Sequence, residues 1–335
     1  MNSKTSPKYY LLILLLGMMS CLPSTYAAPN GHSDAKDNIS AELWLKNLRN
    51  ALQHLNFSTS FVVVKNNQAE PYHWYHGVDP QGIEYEVLSV LNGPRRDTLR
   101  RDNVVSYLEP DSKPYSVNSK NISGPIPSVF RQNIEVLTKS YDFVSVGKSR
   151  ILGRPAQIIR IVPKDADRYG YWLWLDQESS LLLKTAMITR KGHLLEQVQF
   201  TYLEITKQLS KSLANLAKAE LPKVIDIPKM ATNDDFTWQV NWLPLGFKQI
   251  KADHHQINLT KQTVEFMQFS DGLVNVSVYV APSKLTSRPV EYVKDGATIV
   301  LTQVVNGKEI SVVGKVPGDT AKAIADSVSF RNRTH

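Results

Sequence analysis

The chain has 335 residues, of which 42% are hydrophobic and 21% charged, with a formal net charge of +8 and a single cysteine, Cys21. This length is ample for a hydrophobic core and divides most naturally into two domains. One cysteine excludes an internal disulfide framework and a cysteine-rich metal site. The positive charge favours anionic partners without identifying them.

The N-terminus predicts a secretory signal peptide over residues 1–27. Two lysines precede an apolar run from Tyr9 to Met19, and small residues lead up to a cleavage site after Ala27. The run is about half of the ~20 residues that a membrane-spanning helix needs, so an uncleaved anchor is the weaker alternative. Lipidation at Cys21 is a further alternative. Export places the mature chain in the periplasm, where nucleic acid is not a partner.

The fold is predicted to open with a helix and to continue with strands. Ser40 is a suitable N-cap, and apolar residues follow at helical spacing: Leu43, Trp44, Leu48, Ala51, Leu52 and Leu55. Short runs with a period of two then predict strands: Phe57–Val63, Glu84–Leu91, Val104–Leu108, Tyr141–Val146, Gln157–Val162, Tyr169–Leu175, Leu181–Ile188 and Leu194–Tyr202. Turn residues between them include Gly77 and Gly147. Such a meander is expected to curl toward a barrel over residues 40–205.

One segment interrupts the strands, and another ends them. Gly124–Ser128 contains two prolines, and Ser128 is a candidate cap for a short helix that runs to Leu137. Lys207–Lys218 predicts a short polar helix, and prolines break the chain after it. Residues 206–235 are therefore expected to form an interdomain linker.

A second, smaller unit is predicted over residues 236–331. Hairpin turns are expected at Ser270–Gly272 and at Asn306-Gly307, the latter a strong signal for a two-residue turn. Asp319 is a candidate N-cap for a closing helix. These features predict a small antiparallel sheet with one helix, so the whole chain belongs to the α+β class and is mostly β.

The common catalytic motifs are absent from the sequence. It contains no nucleophile elbow, zinc-protease motif, phosphate-binding loop or dinucleotide fingerprint. His73 and His76 would face opposite sides of a strand, which argues against a shared metal ion. We therefore expect no cofactor and no enzymatic activity. An envelope enzyme that uses these histidines with Glu84 and Glu86 is the alternative.

Two clusters are candidates for binding a ligand or partner. The first is the basic cluster, defined as Arg95, Arg96, Arg100 and Arg101. Its guanidinium groups suit phosphates or carboxylates, although a solvated strand face neutralised by neighbouring aspartates is the simpler interpretation. The second cluster is aromatic and contains Tyr171, Trp172 and Trp174. One face of that strand is expected to pack on helices, while the other lines a concavity for an acyl chain or apolar peptide.

Several segments together resemble the RseB/MucB family of periplasmic regulators of the sigma-E envelope-stress response. They occur in the family's order over nearly all of the predicted mature chain: LNGPRRDTLRRDNVVSYLEP (91–110), YDFVSVG (141–147), RYGYWLWLDQES (168–179), WLPLGF (242–247) and VGKVPGDTAKAIADSVSF (313–330). Trp242 and Phe247 lie in one of these segments and join the candidates for partner binding.

The resemblance implies a function that the residues alone do not give. Members of this family bind the periplasmic domain of the anti-sigma factor RseA and block its cleavage by a DegS-type protease. Lipopolysaccharide or the acyl chains of mislocalised lipoprotein are thought to release them. The large domain is implied to be an open half-barrel like those of LolA and LolB, and the small domain to contribute strongly to RseA binding.

A periplasmic carrier of lipid or lipoprotein, of the LolA/LolB type, is the alternative function. The small domain argues against a pure carrier, because the carrier fold is complete in the first domain. Homo-oligomerisation is left open by the sequence.

Overall fold

The structure is a computed structural model that describes residues 40–122, 124–131, 133–225, 236–256 and 263–331. The predicted signal peptide, with Cys21, and the part of the predicted linker from residue 226 to 235 lie outside the described residues. Within the described ranges, no helix is long and apolar enough to cross a membrane.

The first domain is built on an open antiparallel sheet of 11 strands. In chain order they are β1 (Asn56–Lys65), β2 (Gln68–Val78), β3 (Glu84–Val90), β4 (Arg96–Arg101), β5 (Val104–Leu108), β6 (Tyr115–Asn118), β7 (Tyr141–Ile151), β8 (Arg154–Pro163), β9 (Gly170–Asp176), β10 (Leu182–Ile188) and β11 (Leu194–Thr206). The order across the sheet is β6-β5-β4-β3-β2-β1-β11-β10-β9-β8-β7, so β6 and β7 are its edge strands. The predicted open, mostly β architecture is confirmed.

Helix α1 (Ala41–His54) packs on one face of this sheet. Its cap is the predicted one, because the Ser40 hydroxyl accepts a hydrogen bond from the backbone N–H of Leu43 at 3.2 Å. Leu43 itself is 45% exposed, whereas the neighbouring Leu45 is fully buried. The prediction for Leu43 was wrong because the buried stripe follows Trp44, Leu45 and Leu48. We call the face that α1 covers the concave face.

Two predicted turns lie inside strands. Gly77 belongs to β2, where an added Cβ would lie 2.6 Å from a methyl group of Leu209, so this glycine permits close packing. Gly147 belongs to β7, where the pairing with β8 shifts after Ser145 and φ is +146°. It therefore marks a β-bulge, through which the strand continues. In this sheet, β2, β4 and β6 are missing from the predicted period-two runs, because charged and polar residues mask their alternation, although the histidines of β2 and the arginines of β4 were interpreted as lying on strands.

The predicted helix from Ser128 to Leu137 is replaced by two short 3₁₀ helices. They are Ser128–Arg131 and Ile134–Lys139, and the side chain of Asn133 caps the second. An internal cap of this kind starts a new turn and prevents one continuous helix. Both pieces are buried against α1 and the concave face through Val129, Phe130, Ile134 and Leu137.

The described part of the predicted linker is attached to the large domain. Helix α2 (Lys211–Lys218) begins after its cap, Ser210, and packs Leu213 and Leu216 against Tyr85 on the outer face of β2 to β4. Further on, Val224 forms a parallel bridge with Ser116 of β6.

The small domain contains a six-stranded antiparallel sheet and a two-stranded ribbon. Its strands are β12 (Trp238–Val240), β13 (Lys248–Gln256), β14 (Thr263–Ser270), β15 (Asn275–Pro282), β16 (Ser287–Asp295), β17 (Thr298–Val305), β18 (Lys308–Gly314) and β19 (Val328–Phe330). The order in the sheet is β13-β14-β15-β18-β17-β16, and β12 pairs with β19. Both predicted hairpins are present, and Asn306 and Gly307 have positive φ, as their tight turn requires.

Helix α3 (Gly318–Asp326) closes the small domain. It begins one residue after Pro317, so the prediction of Asp319 as its N-cap was wrong. Asp319 instead lies in the first turn, where a carboxylate is favoured by the helix dipole. Ala321, Ile324 and Ala325, which share one face of the helix, are buried against the sheet.

Candidate functional site: the interdomain cleft

Two adjoining cavities lie between the concave face and the small domain. The larger, of about 590 Å³, is lined by Tyr171 and Met187 of the large sheet and by Leu273 of the small domain. The other, of about 420 Å³, shares Glu196, Val198, Thr298 and Lys315 with the first. We call the two together the interdomain cleft. Its walls combine apolar side chains with at least as many polar and charged groups, and a concave surface of this size is a candidate binding site.

One end of the cleft is closed by a buried ion pair between the domains. The Arg168 guanidinium of the large domain donates to the Asp271 carboxylate of the small domain at 2.6 Å, and both side chains are fully buried. Tyr141 donates its hydroxyl to the same carboxylate at 2.8 Å. The other carboxylate oxygen accepts from the backbone N–H groups of Leu273 and Val274. We call this set the Asp271 contact, and its charge is well satisfied.

Arg168 is the centre of that contact. Besides Asp271, it donates to the Asp165 carboxylate and, at 2.7 Å, to the carbonyl of Leu245. Its guanidinium lies 5.3 Å from the ring centroids of both Tyr141 and Phe247, one from each domain. Burial opposes the charge of Arg168, but these partners outweigh it and raise the pKa. For Tyr141, burial and the carboxylate of Asp271 raise the pKa well above its usual value.

A second polar contact joins the domains at the other side. Glu196 of the large sheet accepts from Lys315 at 2.5 Å and from the backbone N–H of Ala297 at 3.0 Å. Next to it, Lys65 and Asn66 both bind the carboxylate of Asp295, at 2.6 and 2.8 Å. The hydrogen bond to Asp295 raises the pKa of Lys65. We call this set the Glu196 contact. Because it is partly exposed, each of its bonds contributes less than the buried pair.

The basic cluster is divided by the structure. Arg95 is 79% exposed and pairs with Asp97, while Arg96 pairs with Glu70 at 2.9 Å beside the smaller cavity. Arg101 donates to the carbonyls of Ala217 and Ala219 at the end of α2. Of the four arginines, Arg95 and Arg96 are therefore the ones that a ligand can reach.

Arg100 lies in a buried charge network under α1. Arg100 and Arg131 both pair with Glu84 and Glu86, and the Trp74 indole donates to Glu86 at 3.0 Å. Burial lowers the pKa of Arg131 to about 10, so it stays protonated at neutral pH. This network fastens the first 3₁₀ helix to the sheet. It also binds the two glutamates that an enzymatic hypothesis would use.

The two histidines face opposite sides of β2, as predicted. His76 is fully buried between the Leu55 carbonyl, at 2.7 Å, and the Glu84 carboxylate, at 2.9 Å. His73 lies on the outer face, where it contacts the hydroxyl groups of Ser58 and Ser60. Among the described residues, no three histidine, cysteine or acidic side chains are grouped so that they could hold a metal ion.

The structure separates the aromatic cluster. Tyr171 is buried and lines the cleft, and burial raises its pKa far above the usual value, which keeps the phenol neutral. Trp172 and Trp174 lie on the opposite, outer face, with ring centroids 6.1 Å apart. There the Arg160 guanidinium lies 5.1 Å from the Trp172 ring, and the Lys184 ammonium 4.8 Å from the Trp174 ring. The prediction that one face packs on helices while the other lines a concavity was wrong, because the concave face is both packed on helices and open to the cleft.

The two aromatic candidates of the small domain also differ. Phe247 is buried beneath Arg168 and so takes part in the Asp271 contact. Trp242 is 38% exposed, and its carbonyl accepts a hydrogen bond from Ser327. Phe247 therefore joins the domains, whereas Trp242 belongs to the surface of the small domain.

Sequence reasoning missed the residues that join the domains. Asp271 lies in a hairpin turn, where aspartate is common. Arg168 directly precedes an aromatic-rich segment, and the aromatic residues rather than the arginine were chosen as candidates. The two are separated by 103 positions in the chain. No local pattern signals that such residues meet.

A curled sheet that forms a cleft with a smaller β domain defines a two-domain binding protein, and the comparisons with known proteins give its family. Residues 40–225 match the MucB/RseB N-terminal domain and residues 232–329 the MucB/RseB C-terminal domain. The chain belongs to the MucB/RseB family.

Relatives match over nearly their whole length. The sigma-E factor regulatory protein RseB of Haemophilus influenzae is 35% identical over 295 residues, which cover 88% of this chain and 93% of the relative. The sigma factor AlgU regulatory protein MucB of Pseudomonas aeruginosa is 29% identical, over 95% of this chain and 96% of the relative.

Two solved structures are similar at the same sequence identity. The complex of Pseudomonas aeruginosa MucA and MucB matches with a TM-score of 0.70 and 27% identity, over 87% of this chain and 99% of that chain. A crystal structure of MucB matches with a TM-score of 0.55 and 27% identity, over 90% of this chain and 99% of that chain.

Replacing Arg100 with Met is expected to lower the free energy of unfolding by about 3–5 kcal/mol, because Glu84 and Glu86 lose one of their buried cations. Arg96→Met, in the same cluster, is the matched control and should leave stability nearly unchanged, since Arg96 and its partner Glu70 are both exposed. Urea unfolding followed by circular dichroism measures both. Equal losses in the two variants would contradict the assignment of Arg100 to a buried network.

Replacing Asp271 with Ala is expected to lower the free energy of unfolding by about 3 kcal/mol, because Arg168 then keeps a buried charge with fewer acceptors. Arg288→Gln removes an exposed ion pair with Glu291 in the same domain and should change little. Thermal unfolding of both variants is the measurement. An unaltered midpoint for Asp271→Ala would show that the contact does not hold the domains together.

Proposed function

We propose that this protein is an exported regulator that binds the periplasmic domain of a membrane-embedded anti-sigma factor of the RseA/MucA kind. By binding, it shields that domain from a DegS-type protease and so restrains a sigma-E response. Lipopolysaccharide or the acyl chains of mislocalised lipoprotein release it. It acts in the periplasm by binding and carries out no chemical step.

The observation that carries this proposal is the likeness of both domains, in their present arrangement, to MucB in complex with MucA. The TM-score to MucB in that complex is 0.70, whereas the TM-score to the crystal structure of MucB is 0.55 at the same sequence identity. It supports the cleft described here as an arrangement suited to a bound partner segment.

The chemistry of the cleft fits a polypeptide together with an apolar ligand. Met187, Val198 and Leu273 offer apolar surface, while Glu196 and Lys315 offer groups that bind peptide side chains or backbone. An acyl chain on the apolar surface would compete with the segment or shift the domains. In either case, thermodynamic linkage requires that the bound segment lowers the affinity for the ligand by the same factor as the bound ligand lowers the affinity for the segment.

Filling the cleft tests the proposed location. Thr298 lines both cavities, so Thr298→Trp is expected to weaken binding of a fluorescently labelled anti-sigma periplasmic segment by roughly tenfold or more through steric exclusion. Thr286→Trp, at an exposed position of the same domain, is the control and should bind like the wild type. Fluorescence anisotropy titrations give both affinities. Equal affinities would place the binding surface elsewhere.

The same titration tests the regulatory part of the proposal. Lipopolysaccharide added to the preformed complex is expected to lower the anisotropy, and the complex without it should resist cleavage by a DegS-type protease. Binding that lipid leaves unaltered would keep the partner but remove the sensing role. If the segment does not bind at all, the regulator is rejected and the lipid or lipoprotein carrier becomes the better hypothesis.

A disulfide across the Asp271 contact tests whether the domains must separate. A Cβ at Gly246 would lie 3.7 Å from the Cβ of Ser140, a separation suited to a disulfide. In the mature Ser140→Cys/Gly246→Cys variant, we expect the oxidised and reduced forms to bind the segment equally, because the present arrangement already suits a partner. The positive φ of Gly246 lowers stability equally in both forms. Binding that appears only after reduction would show that the cleft must open.

A further inference from the structure

The outer face of the large sheet is only partly covered by the described residues. Helix α2 packs over β2, β3 and β4. In the other half of the sheet, from β7 to β10, the side chains on the concave face belong to the main hydrophobic core and pack with α1. Its outer side chains therefore form a second surface, which the cleft does not use.

The strand register brings specific residues together on that surface. Val144 pairs with Arg160, and Arg160 pairs with Trp172. On the next strand Lys184 pairs with Trp174, and Ile188 pairs with Leu194 of β11. Directly paired residues in antiparallel strands point to the same side of the sheet. We call Val144, Arg160, Trp172, Trp174, Lys184 and Leu194 the outer patch.

The outer patch leaves much apolar surface exposed. On β7, Val144 is 43% exposed and the bulge residue Val146 next to it is 46% exposed, while Leu194 on β11, at the other side of the patch, is 54% exposed. The two tryptophans are partly exposed, and the indole nitrogen of Trp172 is itself buried without a hydrogen-bond partner. Soluble proteins seldom expose several large apolar side chains side by side unless the surface binds something.

The charges around the outer patch have one dominant sign. Arg160 and Lys184 lie on the tryptophan rings, and Arg190 and Lys191 are exposed at the turn between β10 and β11. Among the acids on the same face, Asp142 is paired with Lys164 at 3.3 Å. At the far end, Asp176 and Glu178 share the Arg154 guanidinium. An anionic partner therefore meets unneutralised cations among apolar side chains.

We propose that the outer patch docks this protein on the surface of a bilayer that contains anionic phospholipid. Tryptophan is favoured at the boundary between headgroups and acyl chains. Arginine and lysine reach the phosphates while their alkyl stems cover apolar surface. Each such cation near an anionic surface strengthens attachment.

A second copy of the chain fits this surface less well. A two-fold symmetric contact places the same residues on both sides, so Arg160 and Lys184 would meet cations of like sign. A bilayer imposes no such repulsion. It also leaves the interdomain cleft free, because the cleft lies on the other face of the sheet. The proposal does not depend on binding of an anti-sigma factor.

Vesicle flotation with the mature chain tests the proposal. We expect it to float with vesicles that contain phosphatidylglycerol and to remain behind with vesicles of phosphatidylcholine alone. Arg160→Gln/Lys184→Gln is expected to weaken the apparent lipid affinity by roughly tenfold or more. Lys248→Gln/Lys294→Gln removes the same charge from exposed positions of the small domain and should leave flotation unchanged.

A second readout locates the contact. Phosphatidylglycerol brominated on its acyl chains should quench part of the intrinsic fluorescence, and this quenching should disappear in Trp172→Phe/Trp174→Phe while it persists in Trp242→Phe. Circular dichroism checks that each variant is folded. If a variant does not fold, quenching of the wild-type protein still reports whether its tryptophans reach the acyl chains.

Three results would overturn the proposal. They are no flotation with anionic vesicles, equal losses in the two charge variants, and quenching that survives in Trp172→Phe/Trp174→Phe. Light scattering that shows a dimer in the wild type and a monomer in Arg160→Gln/Lys184→Gln, without flotation, would assign the outer patch to a second copy instead.

Discussion

The arrangement of the two domains depends on one buried guanidinium. Arg168 is held by carboxylates from both domains and lies between the rings of Tyr141 and Phe247, so neither domain alone satisfies it. Removing such a charge from water is costly and is offset only when all partners are in place. The Asp271 contact is therefore expected to form completely or not at all. When it forms, it fixes the position of the small domain at that end of the cleft.

Such an interface is well suited to regulation. The Asp271 contact is buried and specific in its geometry, while the Glu196 contact on the other side is partly exposed and weaker. A ligand that entered between them would act on both contacts at once. A modest differential affinity for two domain arrangements then suffices to change the affinity for a partner segment.

The same strands serve two surfaces because side chains alternate across a sheet. On β9, Tyr171 reaches the cleft while Trp172 and Trp174 reach the outer patch. A protein held on a bilayer by the outer patch would present its cleft away from the lipid headgroups. Position at the membrane and binding in the cleft can then be tuned by separate residues of one strand.

The sequence by itself determined the elements with strong local signals: α1 with its Ser40 cap, most strands of the meander, the Asn306-Gly307 hairpin and the family. These follow from caps, alternation and turn chemistry, which act over a few residues. It did not reveal that Arg100 and Arg101 are occupied by Glu84, Glu86 and the end of α2, nor that the Ser128 segment forms two 3₁₀ helices. Only the tertiary structure joined Arg168 to Asp271, because partners distant in the chain are chosen by packing and desolvation.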